Sequence, residues 1–196
     1  MNISSISFGK KYPVIKCKVQ DKETKKFVPV TVYEYDCSEE SDLKDFKEKS
    51  KNSNWIYKRE FTRDMKMKLN SLGRENYYTT NRFYVMENKG EIIGMCETHD
   101  DKDGSWIEYL ESPQRSKYKY IGQTLIAITG HFALKNKQPK LFINEPSVGA
   151  LPFYKKTCGF RINEYCHPEM NKLQMRTFLY RTQLKTRSKI KGLENE

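Results

Sequence analysis

The stretch that most constrains this chain joins a short apolar run to a basic loop, a glycine and an amphipathic segment. Trp106-Ile107-Glu108-Tyr109-Leu110-Glu111 is aromatic and β-branched, as strands are, and Ser112-Pro113 closes it. Lys117-Tyr118-Lys119-Tyr120-Ile121-Gly122-Gln123-Thr124-Leu125 follows. Ile121, Leu125, Ile128 and Phe132 then recur at spacings of four, three and four, one face of a helix. The first amides of a helix have no internal acceptor, and its positive end favours anions. Lys117 and Lys119 add charge, and Gly122 keeps a side chain away from an approaching ligand. Strand, basic loop, glycine turn and helix predict a site for a phosphorylated ligand, with Ile121, Gln123 and Thr124 at the helix start.

A second apolar strand, Lys140-Leu141-Phe142-Ile143, comes next, then the turn Asn144-Glu145-Pro146-Ser147. Ala150-Leu151-Pro152-Phe153-Tyr154 opens a short helix, because Pro152 lacks an N–H and suits a first turn. Gly159 is placed to end it in a left-handed conformation. With these two blocks in order, the segment from Arg82 to Arg181 resembles the GNAT superfamily of N-acetyltransferases. Their loop reads Gln/Arg-x-x-Gly-x-Gly/Ala and is followed by a Phe/Leu-Tyr-x-x-x-Gly-Phe helix. Here Lys117 takes the Gln/Arg place, Tyr120 replaces the first glycine and Gly122 keeps the second. Four residues, not three, separate Tyr154 from Gly159-Phe160.

The remaining pattern is read from periodicity. Val14–Val19 and Phe27–Tyr35 flank a polar turn as a hairpin. Its second strand serves as the first strand of the main sheet, so residues 1–26 form an N-terminal extension. A helix through Leu43 and Phe46 follows the acidic start Ser38-Glu39-Glu40-Ser41. Phe61, Met65 and Leu69 stripe a second helix from about Arg59 to Asn70, with Gly73 after its end. Arg82–Glu87 and Glu91–Glu97 form another hairpin across Asn88-Lys89-Gly90. Phe160 to Asn171 and Leu173 to Leu184 suggest two last strands. The expected class is therefore α/β, a single GNAT-fold domain with a mixed, mostly antiparallel sheet flanked by helices. The tail 186–196 reads as a basic, poorly ordered end.

Composition bounds the function. A chain of 196 residues with 37% hydrophobic and 31% charged residues suits one globular domain. No apolar run is long enough to cross a bilayer, and the start lacks the apolar core of a signal peptide. Cys17, Cys37, Cys96, Cys158 and Cys166 are odd in number and scattered, which argues for reduced thiols in the cytoplasm and against structural zinc. His99, His131 and His167 show no ligand spacing. The net charge of +11 is carried by lysines dispersed among acids, so it reads as a diffuse surface charge more than a nucleic-acid stripe. The exceptions are the basic loop around Lys117 and Lys119 and the segment Lys185 to Lys191.

The resemblance implies acetyl-CoA as co-substrate, no metal, and direct transfer to a small amine or a protein amine in a ternary complex. Tyr154 matches the family tyrosine and would protonate the departing thiolate. Glu108 and Glu111 lie on the strand bordering the thioester. Their odd spacing puts them on opposite faces unless a bulge intervenes, and Glu108 is the candidate base. Asn144 could hydrogen-bond the amide-rich pantetheine arm, although turn chemistry explains an asparagine there equally well. Other readings stay open: acetylation of a macromolecule such as aminoacyl-tRNA, or a non-catalytic CoA-binding or nucleic-acid-binding module.

Overall fold

The computed structural model of the protein describes residues 11–71 and 80–188. Gly73 and the tail beyond Ser188 lie outside the described residues. Strands β1 (Lys11–Asp21) and β2 (Phe27–Tyr35) form the expected N-terminal hairpin, followed by helices α1 (Glu40–Lys49) and α2 (Lys58–Asn70). The meander β3 (Arg82–Asn88), β4 (Glu91–Asp100) and β5 (Ser105–Glu111) comes next. A two-residue strand β6 (Tyr118–Lys119) leads into helix α3 (Ile121–Lys135) and strand β7 (Lys140–Ile143). Strands β8 (Arg161–Ile162) and β9 (Pro168–Asn171) precede helix α4 (Lys172–Thr186).

Among the described residues nine strands form one sheet, in the order β6-β1-β2-β3-β4-β5-β7-β9-β8. Every pairing is antiparallel except that of β5 with β7. Each sheet face buries its own core. Val32, Tyr84, Cys96, Ile107 and Ile143 pack against Leu125 and Ile128 of α3 and Phe178 and Leu179 of α4. On the other face Tyr35, Phe83, Val85 and Met95 meet Phe46 of α1 and Phe61 and Met65 of α2. Alternating side chains along β2 and β3 produce both contacts from single strands. A Cβ on Gly94 of β4 would lie 2.5 Å from Ile121 Cγ2, so glycine there lets the first turn of α3 sit down on the sheet.

Two features depart from the sequence reading. The segment read as a basic loop from Lys117 to the helix adds β6 to the outer edge of β1, and Lys22 N–H donates to Lys117 O at 2.8 Å. The N-terminal extension thereby anchors the basic loop. The second departure is a correction: Leu173 to Leu184, expected as the last strand, is helix α4, and both closing strands fall within Arg161–Asn171. The helix is dictated by its start. The Asn171 side chain accepts from Gln174 N–H and the Gln174 side chain accepts from Asn171 N–H, each at 3.0 Å, a reciprocal capping box. Met175, Phe178, Leu179 and Thr182 then fall on one helical face against α3, a spacing that alternation cannot produce. Its end is fastened too: Thr186 is buried and the Ser188 hydroxyl accepts from Lys18 N–H at 2.8 Å. Asn171→Ala removes the cap and should lower the unfolding free energy by about 1 kcal/mol. Urea unfolding at equilibrium measures it, and an unchanged midpoint would show that the box contributes nothing.

Candidate active site

The site begins with a parting of strands. β5 and β7 pair through Ser105↔Leu141, Trp106↔Phe142 and Ile107↔Ile143, and Asn144 N–H still donates to Ile107 O at 2.9 Å. β5 continues to Glu111 while β7 has ended. On its other side β5 pairs Ile107 with Thr98 and Tyr109 with Glu97, so Glu108 is the extra residue of a β-bulge. A bulge bends its strand and re-aims the bulged side chain. The wedge that opens between Glu108, Tyr109 and Leu110 on one side and Asn144, Pro146 and Ser147 on the other is a cavity of about 370 Å³. Tyr154 and Ala150 wall it from the α3 side, Tyr57 and Glu60 from the α2 side.

Glu108 is held from two directions. Asn144 Nδ2 donates to its Oε2 at 2.8 Å, and His99 Nδ1 lies 2.9 Å from its Oε1. The bulge overrides the alternation that the odd spacing would impose, and it turns Glu108 toward His99. Glu111 serves elsewhere, accepting from the N–H groups of Ile56 and Tyr57, at 2.5 and 2.8 Å, just ahead of α2. Behind Glu108, Glu97 is fully buried and Asn81 Nδ2 donates to its Oε1 at 2.6 Å. Burial, helped by the charge of Asp64, pushes the Glu97 carboxyl up to about 9.

Tyr154 sits in a one-turn π-helix, Phe153–Cys158, with Gly159 at φ 83° behind it. A π turn takes up one more residue than an α turn. It accommodates the fourth residue between Tyr154 and Gly159, and Phe160 N–H closes it on Tyr154 O at 3.0 Å. Burial raises the Tyr154 hydroxyl above its ordinary value, so it stays protonated in neutral solution.

At the start of α3, Tyr120 occupies the left-handed region at φ 71°. Glycine reaches that region freely, and here tyrosine is held in it. No side chain caps the helix, so the amides of Ile121, Gly122 and Gln123 have no acceptor within it. Thr124 differs from expectation: its amide donates to Tyr120 O at 2.9 Å and its side chain is buried. A Cβ on Gly122 would stand 3.3 Å from the Phe153 ring and 3.9 Å from Leu110 Cδ2. That close approach seats the helix start against the wall of the wedge. Beside it, Tyr120, Gln123, Lys156, Arg181 and Lys185 line a hollow of about 140 Å³. Among the described residues none of the three cations there is ion-paired. Lys117 and Lys119 stand on β6 and just ahead of it, outside the lining of this hollow.

The structure therefore gathers Glu108, Asn144 and Tyr154 around one cavity and Gln123 at the neighbouring hollow. His99, Glu97, Arg181 and Lys185 were missed. His99 had a signal, since it lies two residues after Glu97 and directly opposite Trp106 in an alternating strand. Lys185 was marked only as the start of a basic tail, and Arg181 had no signal while its segment was read as a strand. Among the described residues no group of three or more His, Cys, Asp or Glu could hold a metal ion, and no helix is long and apolar enough to cross a membrane.

No protein-family model matches the sequence, and no curated protein matches it by sequence. Solved structures do match. A GNAT-family acetyltransferase from Staphylococcus aureus Mu50 superposes with a TM-score of 0.52 at 15% identity, covering 73% of this chain and 99% of that one. A GNAT-family protein from Desulfovibrio desulfuricans gives 0.54 at 12% identity, covering 73% and 99%. A tandem GNAT protein from the clavulanic acid biosynthesis pathway gives 0.50 at 12% identity, covering 69% of this chain and 45% of its own. The chain thus has the GNAT fold.

Glu97 couples the site to pH. Its ordinary carboxyl value of 4.5 rises to about 9 on folding, so the native state keeps a proton that the unfolded chain releases between those values. Stability should therefore fall as pH climbs through that window. Glu97→Gln keeps an acceptor for Asn81 and removes the titration, and it should flatten the dependence and raise stability at alkaline pH. Thermal unfolding across pH checks it, and equal slopes in both proteins would place the buried proton elsewhere.

Proposed function

We propose that the protein transfers an acetyl group from acetyl-CoA to an amine by direct attack in a ternary complex. The observation that carries this reading is the wedge between β5 and β7, with Glu108 on one wall and Tyr154 on the other. Its neighbourhood fits the co-substrate. The uncapped amides of Ile121, Gly122 and Gln123 suit a pyrophosphate, and Lys156, Arg181 and Lys185 supply countercharge beside them. Acetyl-CoA, when bound, supplies an acyl group on a thioester and a thiol leaving group.

The chain's own residues then divide the proton work. An aliphatic ammonium is almost wholly protonated at neutral pH, so a base must take its proton before nitrogen can attack. Glu108 faces the cavity and is fixed by Asn144 and His99, which makes it the acceptor of that proton. The end of pairing between β5 and β7 supports a role for main-chain N–H groups at the parted edge in polarising a carbonyl. Tyr154, kept protonated by burial, donates to the departing sulfur. The free, buried Cys17, Cys37, Cys96 and Cys158 fit a reducing, cytoplasmic setting.

Tyr154→Phe keeps the packing ring and deletes the donor, so kcat should fall by about two orders of magnitude. Glu108→Gln should lower kcat comparably. Calorimetric affinity for acetyl-CoA should hardly change in either variant. Turnover equal to wild type, under conditions where chemistry limits the rate, would remove the affected residue from the mechanism.

A further inference from the structure

The charge of the protein is unevenly placed around the wedge. The whole chain carries +11, and the hollow at the start of α3 is lined by three cations and no acid. The wedge cavity reverses this: Glu60, Glu108 and Glu145 line it with no lysine or arginine. Glu60 Oε2 is buried without a hydrogen-bond partner among the described residues. A buried carboxylate oxygen in that position is costly unless a donor reaches it.

A second concavity continues the same side of the sheet. Trp106 and Phe142 are opposite one another in β5 and β7, and their rings stack with centroids 4.3 Å apart. They stand two residues before Glu108 on β5 and before Asn144 just past the end of β7, about 7 Å away along the strand direction. His99 bridges the two places, stacked parallel to Trp106 and in contact with Glu108. The turn between β8 and β9 forms the far wall through Glu164 and Tyr165. Tyr165 is 74% exposed there. Asp103 completes the rim, and neither its carboxylate nor that of Glu164 is ion-paired among the described residues. Lys140, the one cation in this lining, is already paired with Glu169 at 3.0 Å.

Resting on the proposed acetyl transfer, we infer that the acceptor is an amine carrying a second cationic group. The reacting nitrogen lies in the wedge between Glu60 and Glu108. The second cation lies over the Trp106–Phe142 groove, drawn by Asp103 and Glu164 and by the exposed ring of Tyr165. A diamine, or a lysine beside another cation in a peptide, has this character. A nucleic acid does not, because its phosphates would meet carboxylates along the whole approach. The attack balances: one ammonium proton passes to Glu108, and the freed nitrogen bonds to the acyl carbon as the C–S bond breaks. The sulfur takes the Tyr154 proton, and the second proton shed by nitrogen as the amide forms restores the Tyr154 hydroxyl. The second ammonium takes no part in the chemistry and only binds.

The test compares cadaverine, a five-carbon diamine, with pentylamine, its singly charged counterpart, using the full chain and thiol release from acetyl-CoA. The diamine should show kcat/KM about tenfold higher or more, expressed mainly in KM. The double variant Asp103→Asn/Glu164→Gln, at two exposed positions that do not threaten the fold, should bring the ratio toward one. Equal use of both amines by the wild type, or an undiminished preference in the double variant, would overturn the inference. If the protein binds acetyl-CoA yet acetylates neither amine, the proposed reaction fails, and calorimetric binding still decides this inference. Cadaverine should bind more tightly than pentylamine to the wild type and lose that advantage in the double variant. Equal binding of the two would overturn it.

Discussion

The structure turns on the parting of β5 from β7 at Ile107↔Ile143. A parallel pair that stayed joined would bury its main-chain groups in a ladder and leave no gap. The extra residue at Glu108 bends β5 away just where β7 ends, and the sheet opens instead. Everything chemically notable is arranged about that opening. The π turn brings Tyr154 to one side, α2 brings Glu60 to the other, and α3 begins beside Leu110 at its mouth. Gly94 and Gly122 matter because each lets α3 lie closer to this point than a side chain would allow.

Much of this was legible because local patterns and tertiary packing agree. The stripe Ile121, Leu125, Ile128 faces the sheet as its spacing requires, and Gly159 takes the left-handed conformation that its place after a helix demanded. Tyr154 was named from the family resemblance and Glu108 from its strand, and the structure places both at the wall of one cavity. The extra residue before Gly159 was visible, but its resolution as a π turn depends on packing that keeps both Tyr154 and Gly159 in place. The failure at Leu173–Leu184 has a plain cause. Thr177, Tyr180 and Thr182 favour strands by propensity, while the capping box and contact with α3 decide for helix. With the helix misread, Arg181 and Lys185 could not be placed beside Gln123. The site's charges come from segments far apart in sequence, and no local signal announces such a meeting.

Charge is sorted along the path of the proposed reaction, cations at the phosphate end and carboxylates at the amine end. This sorting explains how a chain with a net charge of +11 can still attract a cationic acceptor. Around the wedge, salt screens distant lysines more than the carboxylates that line it. Tyr120 belongs to the same arrangement. It accepts an unfavourable backbone conformation at the one turn where the free amides of α3 must face outward.

The central claim is that one bound molecule spans the start of α3 and the wedge between β5 and β7. Amide hydrogen exchange of the full chain, with and without saturating acetyl-CoA, tests it directly. Protection should rise at the amides from Tyr120 to Gln123 and, together with them, at Glu108 to Leu110 and Asn144, while β1 and α1 stay as they were. Protection confined to one of the two places, or acetyl-CoA binding that leaves both unchanged, would contradict the account.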